Sequence, residues 1–270
     1  MKNRTKLLVG LIILLFSVGS LSAQITKGEA VTIPLSDPGK DGKLEIRLLN
    51  GSIAVVAHQG KDVVIETTAK ERKKPQKMRD GMRKIGDNSM EFTVEEYNNK
   101  VVVKSKKINK TVDFEIRVPE NFSLDLRATN DGNIKVEGVK GEMEISNLNG
   151  AISLLNIGGS VIADALNKNI VVTFDEVYEN TPMAFTSLNG NLDITFPDDF
   201  AANIKARTEN GEIFTDYEIK MDQDVEQNER KSSSGVYKVT VDKWVTGTIN
   251  GGGAELLFKT LNGDILIRAN

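Results

Sequence analysis

The sequence predicts an all-β chain, a β-solenoid or β-helix-like repeat of short strands, with an antiparallel β-sandwich as the alternative. Three observations point there. First, Asn-Gly followed by alternating apolar residues recurs at Asn50-Gly51, Asn149-Gly150, Asn189-Gly190, Asn210-Gly211, Asn250-Gly251 and Asn262-Gly263. Asp131-Gly132 is a close variant and Asn167-Lys168 a degenerate one. Second, the units starting at Gly132, Gly150, Lys168, Gly190 and Gly211 follow one another by 18, 18, 22 and 21 residues, each long enough for two or three short strands. Third, aromatics are only 6% of residues while Val, Ile and Leu abound. That composition suits thin, regularly stacked layers.

The dipeptide has a local rationale. Asn tolerates left-handed backbone and Gly occupies it at little cost, so together they make a tight turn that launches a strand. Recurrence of the turn indicates a copied structural unit. A hairpin needs neither near-equal steps nor a small polar residue two places before the Asn. Ser187, Thr208, Thr248 and Thr260 fill that place. Both regularities favour the solenoid, in which Asn stacks on Asn and Ile or Val on Ile or Val.

Residues 1–23 read as a secretory leader. Lys2, Arg4 and Lys6 are a basic start, Leu7 to Phe16 an apolar run, and Leu21-Ser22-Ala23 a small-residue exit, with cleavage between Ala23 and Gln24. The run is short of the roughly 20 residues that span a bilayer, and no other stretch is apolar enough. Without a Cys, the chain has no attachment point for a lipoprotein anchor and no disulfides. Loss of the leader takes formal net charge from −3 to about −6, an acidic balance that argues against nucleic acid. The chain is expected in the periplasm, at the cell surface or outside the cell.

Residues 24–43 form an irregular lead-in, with Val31-Thr32-Ile33 as an edge strand and 37–42 as a turn cluster. A β-repeat domain covers 44–270. It carries a basic insert at about 70–89, helical or looped, in which Met78, Met82 and Ile85 fall on one helical face. Strands resume at Met90 to Tyr97, Val101 to Lys106, Val112 to Pro119 and Phe122 to Ala128. Acidic residues and Ser232-Ser233-Ser234-Gly235 mark a mobile loop at about 221–235. Trp244, the only Trp, caps an apolar end or offers a platform to a sugar ring.

No catalytic, cofactor or metal site emerges. His58 is the only His and there is no Cys, so Cys–His catalysis and His- or Cys-rich zinc sites are excluded. His58 sits in a His-Gln-Gly turn beside no distinctive Ser motif. Gly158-Gly159-Ser160 and Gly251-Gly252-Gly253 lack the spacing and the Lys of a phosphate loop. Asp198-Asp199, after Pro197, reads as a solvent-facing turn rather than a glycosidase pair.

Units such as Ser-Leu-Asn-Gly-Asn-Leu-Asp-Ile at 187–194 and Thr-Glu-Asn-Gly-Glu-Ile-Phe at 208–214 resemble the DUF4097 family of putative adhesins, β-strand-repeat proteins of bacterial envelopes. The Ser22-Ala23-Gln24 exit resembles exported proteins of Bacteroidota. The likeness covers about 44–269 and is clearest from 123. It implies a β-helix-like architecture and a non-enzymatic adhesin or envelope scaffold, with a surface glycan or envelope protein as partner. Two alternatives stand beside it: a carbohydrate-active β-helix, and a periplasmic envelope-stress module.

Overall fold

The computed structural model describes residues 25–27, 30–70, 78–79, 82–83, 92–105, 111–130, 132–222, 228–233, 236–241 and 244–270. The leader with its Ala23/Gln24 junction, and Asp131, lie outside these residues. The described chain contains 25 strands and no helix, and 21 of the strands belong to one continuous hydrogen-bonded system. This is the predicted all-β, solenoid-like architecture.

Each coil has two strands joined at the Asn-Gly edge. The strand before the turn lies in one parallel ladder and the strand after it in a second, and the two ladders face each other across a single core. The column of apolar residues just after the turn shows the stacking. Ile53, Ile134, Ile152, Ile170, Leu192 and Ile265 are fully buried, and each is the registered partner of the next. β-Branched side chains suit such pleated, one-sided burial. Larger rings fill the later coils, where Phe174 stacks on Phe196 at 5.1 Å and Phe185 on Phe258 at 5.4 Å.

Stacking order departs from chain order at both ends. The coil at 42–58 sits between those at 100–119 and 122–137. The stack then runs through 140–157, 158–177 and 183–196. The next rung is not 202–215 but the C-terminal coil: Met183–Ser187 and Leu192–Phe196 pair with Ala254–Asn262 and Ile265–Ala269. The far side of that coil pairs with Ala202–Asn210 and Ile213–Thr215. The coils at 42–58 and 254–269 are thus wedged into the stack as penultimate rungs.

Antiparallel strands close the ends. Phe92–Tyr97 covers Lys100–Ser105, and Asp62–Lys70 covers Thr111–Pro119 and carries Val31–Pro34 and Ile25–Lys27. Val245–Ile249 covers Ala202–Asn210 and carries Ile219–Met221. Covering a sheet end removes a template for aggregation.

Three expectations need correction. Within the basic insert, the described dipeptides Met78–Arg79 and Met82–Arg83 pair antiparallel, so they are not helical. Within the expected loop at 221–235, Asn228–Ser233 pairs with Val236–Val241 as a hairpin. Asn250-Gly251 is not a repeat turn at all. It reverses the chain between Val245–Ile249 and Ala254–Asn262 at the opposite edge of the coil, with Asn250 at φ 48° and Gly251 at φ 92°.

The reason for Asn-Gly also changes. None of the ladder asparagines is left-handed, and neither are Gly132, Gly150, Gly190 or Gly211, whereas Gly51 (φ 128°) and Gly263 (φ 154°) do take positive φ. The four glycines without it are needed for closeness. A Cβ on Gly150 would fall well inside 3.0 Å of the Gly132 carbonyl, one on Gly190 against Lys168, and one on Gly211 against Gly263. Gly251 has nothing within 4 Å. Gly150→Ala should therefore destabilise by on the order of 2–4 kcal/mol. Gly251→Ala, which meets only the left-handed penalty, should cost about 1–2 kcal/mol. Urea unfolding of the two variants checks the order; a larger loss at Gly251 would restore the left-handed explanation.

Candidate functional site

The Asn-Gly edge is built by three cooperating positions. The carbonyls of Gly51, Gly132, Lys168, Gly190 and Gly263 point along the stack to where Gly132, Gly150, Gly190, Gly263 and Gly211 lack a Cβ. A buried carbonyl needs a donor, and for four of these the residue two before the next Asn supplies one. Thr260 Oγ1 donates to Gly190 O at 3.0 Å, Thr208 Oγ1 to Gly263 O at 2.8 Å, Ser187 Oγ to Lys168 O at 3.3 Å and Asn147 Nδ2 to Gly132 O at 3.2 Å. The coil at 158–177 changes both parts together: Lys168 replaces the glycine and Ala165 the donor. Thr248, which shares the pattern in sequence, lies in an antiparallel end strand opposite Asn203 and Lys220 and takes no part.

Outside this column runs an asparagine ladder. Asn149 donates to Asn130, Asn167 to Asn149, Asn189 to Asn167, Asn262 to Asn189 and Asn210 to Asn262, at 2.7–3.1 Å. Asn50 is in register with Asn130. The rung assigned to Asp131-Gly132 is therefore filled by Asn130, one residue earlier. A second column lies two places on: Asn133, Asn169, Asn191 and Asp264 each accept a backbone N–H from the following coil at 2.9–3.0 Å. The repeat asparagines and glycines named from the sequence thus converge on one edge, Asn250-Gly251 excepted. Their work there is structural.

The outer face of the first ladder carries the charge. At one end cations and carboxylates alternate across four coils. Lys100 pairs with Glu45 at 2.8 Å, Arg47 bridges Glu45 and Asp125, and Arg127 joins Asp125 at 3.2 Å to Glu144. The Lys100 ammonium draws the Glu45 carboxyl below its ordinary range, and Asp125 raises Arg127. A shallow depression of about 400 Å³ opens beside Glu45, Arg47 and Lys104. At the other end the pattern gives way to Lys205, Arg207, Lys259 and Trp244. Lys205 Nζ lies 4.9 Å from the Trp244 ring centroid and Arg207 Cζ 5.7 Å. The indole thus lies on the outer face, held by cations, rather than capping an apolar end.

Two further features bear on chemistry. His58 is absorbed by its own turn: Nε2 lies 2.9 Å from the Asp62 carbonyl, and Nδ1 accepts the Gly60 N–H at 3.2 Å. Opposite the Asn edge, a groove of about 480 Å³ is lined by Asp175, Glu176, Glu179, Asp199 and Tyr178, with Gly252-Gly253 across from them. Neither Lys nor Arg lines it. Among the described residues no group of three or more His, Cys, Asp or Glu is placed to hold a metal ion. No described helix is long and apolar enough to cross a membrane.

Residues 124–250 match the Toastrack DUF4097 family. The DUF4097 segment starts in the coil at 122–137 and ends with Val245–Ile249, so both wedged coils, 42–58 and 254–269, fall outside it. It is narrower than the span over which the sequence resembles the family. A putative cell adhesion protein from Clostridium sporogenes is 10% identical, over 92% of this chain and 100% of its own, with a TM-score of 0.48. A putative adhesin from Bacteroides fragilis is 9% identical, over 92% and 98%, with a TM-score of 0.35. No curated protein matches the chain.

Two measurements test this description. Asn167 makes two ladder bonds and Asn210 one. At about 1 kcal/mol per bond, Asn167→Ala should lose roughly twice the unfolding free energy of Asn210→Ala in urea. Tyr217 donates to the Phe196 and Pro197 carbonyls, at 3.1 and 2.7 Å. Its hydroxyl is pushed up to about 12, first by burial and then by Asp198, Asp199 and Asp216. The unfolded phenol ionises first, near its ordinary value of about 10, so this contribution is intact below that pH and is lost as pH rises towards 12. Tyr217→Phe should flatten the fall in stability over that window, as followed by thermal melts.

Proposed function

We propose that this chain is an exported, non-enzymatic binding protein of the cell envelope, adhesin-like in action, which presents the outer face of a stiff parallel β-stack to its ligand. The carrying observation is the registered stacking of eight two-stranded coils, which fixes outward side chains in straight columns. Such columns place charges and rings at the spacing of adjacent strands, about 4.8 Å. A ligand with its own repeat can engage several at once, and sites on rigid elements lose little order on binding. The DUF4097 match over residues 124–250 is in keeping with this reading. The leader at 1–23 and the acidic mature balance fit secretion.

The test is a binding screen of residues 24–270 against immobilised glycans and extracellular matrix proteins. The expected result is saturable binding to at least one class, with no turnover of any bound glycan. Release of sugar products from a glycan would replace this reading with the enzyme, and an absence of binding to all of them would remove it.

A further inference from the structure

We infer that the end of the outer face formed by Lys205, Arg207, Lys259 and Trp244 is a binding site for a carboxylate-bearing polysaccharide, a polyuronate. The inference rests on the outer face being a binding surface, and it names the ligand class.

Charge sets this end of the face apart. Toward the other end of the same face Lys100, Glu45, Arg47, Asp125, Arg127 and Glu144 form an alternating chain, although Lys43 faces Lys100 and Arg47 faces Lys104 across the strands. At this end Arg207 and Lys259 are direct cross-strand partners. Like charges directly opposite one another destabilise a sheet. Arg207 is relieved by Glu209. Among the described residues Lys259 has no carboxylate partner, and Lys205 has only the Trp244 ring. This concentration sits on a chain of acidic balance, so it is a local feature. The missing counter-charge defines the ligand as an anion.

The surroundings narrow the choice. Leu257 is the registered partner of both Lys205 and Ala184, and Ala184 that of Ile162. Ile162 is 55% exposed, so an apolar shelf adjoins the cations, with Trp244 on the far side. A small inorganic anion has no use for the shelf or the ring. A pyranose has apolar C–H faces for both, and its carboxylate takes the ammonium groups in charge-assisted hydrogen bonds. The site crosses three strands along the stack, which suits a linear chain.

The experiment measures binding of residues 24–270 to polygalacturonate, dextran sulfate and neutral dextran by biolayer interferometry at low and moderate salt. Wild type should bind polygalacturonate, more weakly as salt rises, and should not bind neutral dextran. The double variant Lys205→Ala/Lys259→Ala should lose at least about tenfold in affinity, and Trp244→Ala should also weaken binding. Lys104→Ala, at the paired end of the face, should match wild type. Unchanged affinity in the double variant, equal loss in Lys104→Ala, or preference for dextran sulfate would overturn the inference. A protein that binds another ligand in the broader screen but ignores polygalacturonate would refute this site and leave the adhesin reading standing; one that binds nothing would refute both.

Discussion

A carbonyl oxygen placed where a neighbour's Cβ would be is the constraint on which this fold depends. At Gly132, Gly150, Gly190, Gly211 and Gly263 a Cβ would fall well inside 3.0 Å of the neighbouring coil's carbonyl oxygen, whereas the coil at 158–177 keeps its ladder bonds with Lys168 in that place. Once that oxygen is enclosed it needs a donor, and Thr260, Thr208, Ser187 and Asn147 provide one from two residues before the Asn. Glycine and donor occur together in the coils at 140–157, 183–196, 202–215 and 254–269, and the coil at 158–177 gives up both at once, while the coils at 42–58 and 122–137 keep Gly51 and Gly132 with Leu48 and Ala128 in the donor's place. The asparagine ladder adds a further bond per rung, and the Ile column fills the inside. Local turn, hydrogen bonding and core all select the same register, which is the consistency expected of a sequence that specifies one structure.

The second consequence is topological. Equivalence of the coils lets any of them stack on any other, so chain order does not dictate rung order. The C-terminal coil enters between 183–196 and 202–215, and the coil at 42–58 enters between 100–119 and 122–137. These pairings join residues as far apart as Ile53 and Ile134. Such long-range closure is slow to form, and the 202–215 coil cannot complete its stack until the last residues are available. The same insertion assembles the candidate site. Lys205 and Lys259 are neighbours only because the final coil lies against Ala202–Asn210, and Trp244 reaches them because Val245–Ile249 closes that strand's other side.

Much of this was legible in the residues. Alternation located the strands, and the steps of 18 and 22 residues are the observed registers of Ile134, Ile152, Ile170 and Leu192. The small polar residue before the turn was visible as a pattern, although its role as donor to the neighbouring carbonyl was not. Asn250-Gly251 shows the limit: the same dipeptide serves stacking in one place and left-handed reversal in another, and only the tertiary neighbour distinguishes them. The charged face was illegible for a related reason. Its members are spaced by the stack, so Glu45, Asp125 and Glu144 have no common interval in the chain. Within the 70–89 insert the pairing of Met78–Arg79 with Met82–Arg83 is one that Met spacing alone does not reveal.

The central claim is that the final coil is wedged into the stack, and cross-linking tests it most directly. The chain has no native cysteine, so pairs can be introduced cleanly at the asparagine edge. Asn189→Cys with Asn262→Cys should form a disulfide under mild oxidation, because those positions are adjacent rungs and disulfides need Cα atoms within about 7 Å. Asn189→Cys with Asn210→Cys, adjacent in chain order but separated by the inserted rung, should remain reduced. Efficient cross-linking of the 189–210 pair, with none at 189–262, would show sequential stacking and contradict the account.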